Sequence, residues 1–221
     1  MSDLETELRR VFDEIRADAE PPHRAATARR ILDGSLDAFA TGPYDSITTR
    51  MIARTVGVAE KTLFAHFPSK ATIFAEALRP IITRLIAPAQ LGAFLSLLDE
   101  PEITARTRLR RVLRNRLEFA AANPKMMRVV ANAGLSNAAF RTLLAEQWMM
   151  SVGHVAIKRV VEAQQSGELR PVPLQQLALF LMSFVLGFAT YRTFGERLDA
   201  DEAEIDGMLD LLFGGIATRE D

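Results

Sequence analysis

The chain has no cysteine, one tryptophan, two tyrosines and three histidines among 221 residues. Without cysteine there is no disulfide and no thiolate nucleophile or metal ligand, which suits a reducing cytoplasm. His23, His66 and His154 are far apart in sequence, and none has a second candidate ligand beside it, so no metal site is expected. A glycine-rich phosphate loop and a nucleophile elbow are also missing, leaving no catalytic residue to name and no cofactor to expect. The first residues, MSDLETELRRVFDEIR, lack the apolar centre of a signal peptide. The most apolar run, residues 177–190, is shorter than the roughly 20 residues that span a bilayer. It reads as a helix buried on more than one side, and no membrane partner is expected. Strand signals are nearly absent, with no sustained alternation bounded by Asn-Gly or Asp-Gly pairs.

A net charge of −1 hides three differently charged segments. Residues 1–22 hold three Arg against seven Asp and Glu, a net of −4. Residues 23–70 hold seven Lys and Arg against four acids, a net of +3, and residues 71–221 hold seventeen of each. Only the middle segment has the sign that favours a polyanion, and its excess is small.

Helical periodicity dominates, so the fold class is all-α. Leu4, Leu8, Val11, Phe12 and Ile15 share a face, and Pro21-Pro22 close that segment. This acidic first helix is expected to pack through Leu8, Phe12 and Ile15 on the body of the protein, or to regulate access. A second helix runs over about 25–40, with Ile31, Leu32, Leu36 and Phe39 inward, and Gly42-Pro43 end it. A helix starting near Ile73 meets Pro80, where a kink or break is expected. Later helices are predicted over about 102–122, 125–134, 137–166, 173–194 and 201–217, nine or ten in all.

Residues 48–70 read TTRMIARTVGVAEKTLFAHFPSK. Two short apolar-periodic segments flank one glycine. Ala53 is small enough for a second helix to press against it. Gly57 tolerates the left-handed turn without a Cβ clash. Leu63 locks the second helix down, and Ile52, Val56 and Val58 fill the seam. The Thr48 hydroxyl is placed to cap the first helix. The second helix, about residues 60–66, then exposes Glu60, Lys61, Thr62 and Ala65. This is the layout of a helix-turn-helix, and also of an ordinary helical hairpin.

The residues around it are more specific. Ile31-Leu32, Phe39, Gly42 with Tyr44, Thr48, Ile52-Ala53, Gly57-Val58 and the run Leu63-Phe64-Ala65-His66-Phe67-Pro68-Ser69-Lys70 follow one another with little gapping. Over about fifty residues this pattern resembles the DNA-binding head of the tetracycline-repressor (TetR) family of transcription regulators. The resemblance implies an N-terminal three-helix head with a helix-turn-helix, followed by a larger helical ligand and dimerisation domain. The corresponding boundaries are an acidic extension at 1–22, a head at 23–70 and the remainder at 71–221. It further implies a repressor acting as a homodimer on palindromic double-stranded operator DNA in the cytoplasm, released by a small apolar ligand whose identity the sequence does not give.

In such a head the second helix enters the major groove. Thr48, His66 and Lys70 at helix ends then meet phosphates and set register. Glu60, Lys61 and Thr62 face base edges, where lysine suits guanine and glutamate accepts from cytosine. Arg24, Thr27 and Arg29 reach a flanking phosphate or the minor groove. Ala59 stands where the family often has Ser or Thr, and Phe64 where it often has Tyr, so a cap and a hydroxyl are given up there. One short helix is too small to be specific alone, and a dimer sets two of them one DNA turn apart, about 34–36 Å. The expected interface is Leu177, Leu181, Phe184 and Phe188 with Leu209, Leu212 and Phe213. Phe119, Met126, Met127, Trp148, Val152 and Phe184 are candidates to line a ligand pocket. Residues 105–116 hold six arginines, with Arg106, Arg110 and Arg114 on one face. Pairing with acids is their plain reading; an anion-binding patch is the alternative. A helical adaptor without DNA binding is the competing class, and it would need neither Lys61 nor Lys70.

Overall fold

A computed structural model describes residues 2–20, 22–86, 88–194 and 202–216, and every regular element among them is helical. The chain divides into two compact units. One comprises Met1–Leu91 and Lys125–Trp148, the other Gly92–Pro124 and Met149–Asp221.

The first unit is built around helix α5 (Lys70–Ile86), on which α1 (Asp3–Arg16) and α2 (Ala26–Phe39) both pack. Helix α1 starts where the Ser2 hydroxyl accepts from the Glu5 N–H, 3.1 Å away, with Asp3 and Glu5 complementing the positive end of the helix dipole. Leu4, Leu8, Val11, Phe12 and Ile15 recur at helical spacing and are all buried, as their periodicity predicts. Each such burial is worth roughly 1.5–3 kcal/mol before chain entropy is subtracted. The Phe12 ring meets Phe140 edge-on, 6.3 Å between centroids, which joins α1 to α9 (Ala138–Trp148). The acidic extension therefore docks as expected, on α5 and α9.

Residues 71–79 of α5 are all buried, Glu76 and Arg79 included. Of the kink or break expected at Pro80, the break does not occur, and the helix runs on to Ile86. Pro80 itself is exposed, while Ile81 and Ile82 beyond it are buried. The ring thus meets solvent, and packing on the far side carries the helix past one missing ladder bond. Helix α8 (Pro124–Ser136) is tied to α2 by Asn132, whose amide donates to the Ala40 carbonyl at 3.2 Å, and by an ion pair from Lys125 to Asp37.

The sequence gives no periodic signal for α6 (Pro88–Leu98), because its apolar residues run nearly all round. In the second unit, α7 (Ala105–Ala122) is capped by the Thr104 hydroxyl accepting from the Thr107 N–H. Glu102, three residues before α7, has positive φ, so the helix starts later than the predicted 102. Leu113 and Leu117 of α7 pack with Ile205, Leu209 and Leu212 of α12 (Glu202–Ile216). Ala163 of α10 (His154–Gln165), Leu169 and Leu177 of α11 (Leu174–Phe194) form a second cluster. The predicted single helix over 137–166 is helical almost throughout, but Met149–Gly153 winds as a π-helical segment between α9 and α10.

Candidate nucleic-acid interface

The helix-turn-helix lies in the first unit. Helix α3 (Thr49–Val56) opens with Thr48 extended and its hydroxyl accepting from the Met51 N–H at 3.2 Å. It closes on Gly57, whose φ of 74° is the left-handed conformation that a Cβ would penalise. The Val58 N–H then returns to the Ala53 carbonyl at 2.9 Å, which satisfies one of the carbonyls left free at the helix end. Helix α4 (Glu60–His66) follows two residues later. Ala59 precedes it without a side-chain cap, as that departure from Ser or Thr implies. Leu63 and Ile52 are completely buried and Ala53 nearly so, which fixes α4 across α3. Below them, α2 approaches α3 at Gly34, where a Cβ would lie 2.9 Å from the Val56 Cγ2.

With its inner face fixed, α4 presents Lys61, Phe64, Ala65 and His66 to solvent, and Phe64 is 48% exposed. Thr62 is half-buried. Glu60 is drawn toward α3: it accepts from the Thr49 hydroxyl at 2.7 Å and faces the Arg50 guanidinium at 3.9 Å. Arg50 and Met51 are exposed beside this face. Sequence reasoning did not single them out, although Met51 directly precedes the buried Ile52 in a strongly amphipathic helix.

Lys70 and Arg24 are held by the protein itself. The Lys70 ammonium donates to the carbonyls of Tyr44 and Ile47, both at 3.0 Å, and lies 3.9 Å from the centre of the Tyr44 ring. Burial lowers its pKa and the nearby Asp45 opposes that shift. Lys70 thereby braces the loop that feeds α3. Arg24 stacks over Phe67 and pairs with Glu76 at 3.0 Å. Glu76 also accepts from Arg10 and Arg79. Burial alone would push the Glu76 carboxyl up; the Arg79, Arg10 and Arg24 guanidiniums outweigh it and hold the group at about 2. Arg29 is exposed and Thr27 half-buried near the start of α2. Arg29, Arg30 and Lys125 line an open groove of ≈ 660 Å³ with Asp33, Gly34 and Val56. Lys125 is far in sequence from Arg29 and Arg30, and no local pattern could have placed it there.

Residues 31–77 match the family described as bacterial regulatory proteins, tetR family. The head is that of the TetR family. The nucleoid occlusion factor SlmA of Vibrio vulnificus is 37% identical over 89 residues, 40% of this chain and 42% of SlmA. The chain thus matches less than half the length of that relative. A TetR family transcription regulator from Marinobacter aquaeolei VT8 superposes with a TM-score of 0.59 at 16% identity, over 87% of this chain and 96% of that one. The transcriptional regulator FadR from Bacillus subtilis, solved with stearoyl-CoA, gives a TM-score of 0.57 at 20% identity, over 85% and 98%. At such identities the likeness is one of fold: the TetR-family helical architecture continues beyond the head.

The remaining predicted residues belong to that architecture. Met126, Met127 and Trp148 are in the first unit, and Phe119, Val152 and Phe184 in the second. Met126 and Val152 are buried; Met127, Trp148, Phe119 and Phe184 are half-buried. Among the residues expected at a dimer interface, Leu177, Leu209 and Leu212 are buried in the core of the second unit, with Leu181, Phe184 and Phe213 packed against it. The Phe188 side chain lies outside the described residues. Among the described residues, the large apolar side chains that α11 and α12 show to solvent are Leu179, Phe180, Tyr191 and Leu211. Among the described residues no helix is long and apolar enough to cross a membrane.

Proposed function

We propose that this chain is a homodimeric TetR-family repressor that binds a palindromic operator in the cytoplasm and is released by a small apolar ligand. The observation that carries the reading is α4. Its inner face is fully packed by Leu63, and its outer face carries Lys61, Thr62, Phe64 and His66 on a rigid support. A helix so mounted fits the major groove, where side chains near its start read base edges and those at its end meet phosphate. Thr48, Ala59, Glu60, Arg29 and Thr27 flank it, while Lys70 and Arg24 act through the loop and helix they hold. The acidic extension at 1–22 stays off the DNA and braces α5. Residues 71–221 supply ligand binding and dimerisation, as their fold neighbours suggest. The second copy docks on Leu179, Phe180, Tyr191 and Leu211, whose exposure no neighbour among the described residues relieves. The chain is assigned no catalysis.

Selection of bound fragments from genomic DNA by the purified protein, at several salt concentrations, tests this. The expected product is a near-palindrome whose half-sites are one helical turn apart, with affinity falling linearly in log salt. Fragments with no shared sequence at any salt would leave only the helical-adaptor reading.

A further inference from the structure

Helix α7 carries six arginines, and five of them have partners that explain them. Arg106 pairs with Asp210 at 2.7 Å, and Arg110 with Glu202 and Asp206 at 2.8 and 2.7 Å. Arg114 also meets Glu202, and Arg111 meets Glu100. These ion pairs fasten α12 and the preceding loop to α7, which bears out the plain reading of the arginine run. Arg108 donates to the carbonyls of Leu98 and Ile103.

Arg116 is different. Among the described residues, its Nε and Nη2 donate only to the side-chain oxygen of its neighbour Asn115. Its guanidinium lies over two rings, 4.2 Å from the Phe94 centroid and 5.2 Å from that of Phe119. Among the described residues no carboxylate pairs with it. Burial pushes its pKa down to about 10, and no neighbouring charge opposes the shift. Among the described residues, this half-buried cation has one amide and two ring faces for company and no counter-charge. A guanidinium has five N–H donors in a planar fork, and Asn115 does not engage Nη1.

From this we infer that Arg116 is the anchor for the oxyanion head of an apolar ligand, with Phe94 and Phe119 beside the ligand's apolar body. The fork matches a carboxylate or a phosphate ester in bidentate fashion, and it repels a cationic ligand. The inference rests on the reading that the second unit takes a small apolar ligand, and it specifies the ligand's head.

The test compares four probes with the same ten-carbon chain: decanoate, decyl phosphate, 1-decanol and decyltrimethylammonium. Each is titrated calorimetrically, below its aggregation limit, into the full chain and into Arg116→Met and Arg116→Lys. At least one anion should bind the wild type ten-fold or more tighter than decanol, and the ammonium probe should not bind. The ratio of decanoate to decyl phosphate tells a carboxylate site from a phosphate site. Arg116→Met should bring the anions down to the affinity of decanol, while Arg116→Lys keeps part of the preference. Circular dichroism of both variants checks the fold, and the wild-type comparison stands without either. If decanol binds the wild type as tightly as the anions, or Arg116→Met keeps the preference, the role of Arg116 is wrong and the ligand reading survives. If no probe binds the wild type, both fail.

Discussion

Replacing Glu76 by Gln removes one charge from the interior of the first unit and leaves three guanidiniums facing a neutral amide. Glu76 is 2% exposed, and its partners grade from Arg79 at 9% through Arg24 at 22% to Arg10 at 38%. The Arg79 pair is the least screened and carries most of the interaction, while the Arg10 pair is discounted by its solvent exposure. The folded protein holds the carboxyl at about 2, against 4.5 for an unperturbed Glu. At 1.36 kcal/mol per unit, that difference corresponds to roughly 3 kcal/mol. Because the folded value lies below the unfolded one, the stabilisation is complete above about pH 5. It drains away as pH falls from there toward about 2. For a chain of this size each kcal/mol moves Tm by roughly 2–4 °C, so Glu76→Gln should lower Tm by about 6–12 °C at pH 7. The assay is thermal unfolding by circular dichroism between pH 7 and pH 3. The wild type should lose its advantage across the acid range, and the two Tm curves should converge. Equal Tm values at pH 7, or curves that stay parallel down to pH 3, would refute the reasoning.

Other expectations concern the DNA face and the second unit. Lys61→Ala should relax preference at one base position, at a cost of about 1–3 kcal/mol for the preferred base, read by competition against single-base operator variants. Lys70→Ala should weaken all sequences alike and leave the salt slope unchanged, because the ammonium is engaged by Tyr44 and Ile47. A slope smaller by about one would instead assign it to a phosphate. Leu211→Glu should yield folded monomers by sedimentation, since Leu211 is 84% exposed. Leu212→Glu should unfold the second unit, because it places an unpaired charge against Leu113 and Leu117. If the Leu211 variant stays dimeric, the docking surface is misplaced.

Much of the head was legible because its determinants are local. Thr48 as a cap, Gly57 as a left-handed turn and Leu63 as the lock each follow from a few neighbouring residues, and the structure has all three. Lys70 and Arg24 read as free cations because their partners are 23 to 52 residues away (Tyr44 and Ile47 for one, Glu76 for the other). A glutamate within an apolar helix reads as surface, and only the fold reveals the arginines that make its burial tolerable. In α11 the period marks apolar residues on every side, so it cannot say which side packs inward. Leu177 and its near neighbour Leu179 both lie in that run, yet one is buried and the other bare. For α12 the amphipathic pattern did point to the buried set, Ile205, Leu209 and Leu212. Leu209 and Leu212, also expected at an interface, lie within that set.

Helix α5 is sheathed for most of its first three turns, and its leading residue grips the loop behind α3. A rod in such a sleeve resists flexing, because bending would tear side chains from their sockets along its whole enclosed length. It can still rotate or slide a little as a piston does. Any displacement delivered to its far end therefore reaches the other end almost undiminished, and α2, α3 and α4 travel with it as one rigid fitting. A signal passing this way would leave the shape of α4 unchanged and alter only its aim. In the DNA-free protein, backbone amides in α4 should keep their chemical shifts as the far end of α5 is displaced, while residual dipolar couplings across the same helix change together.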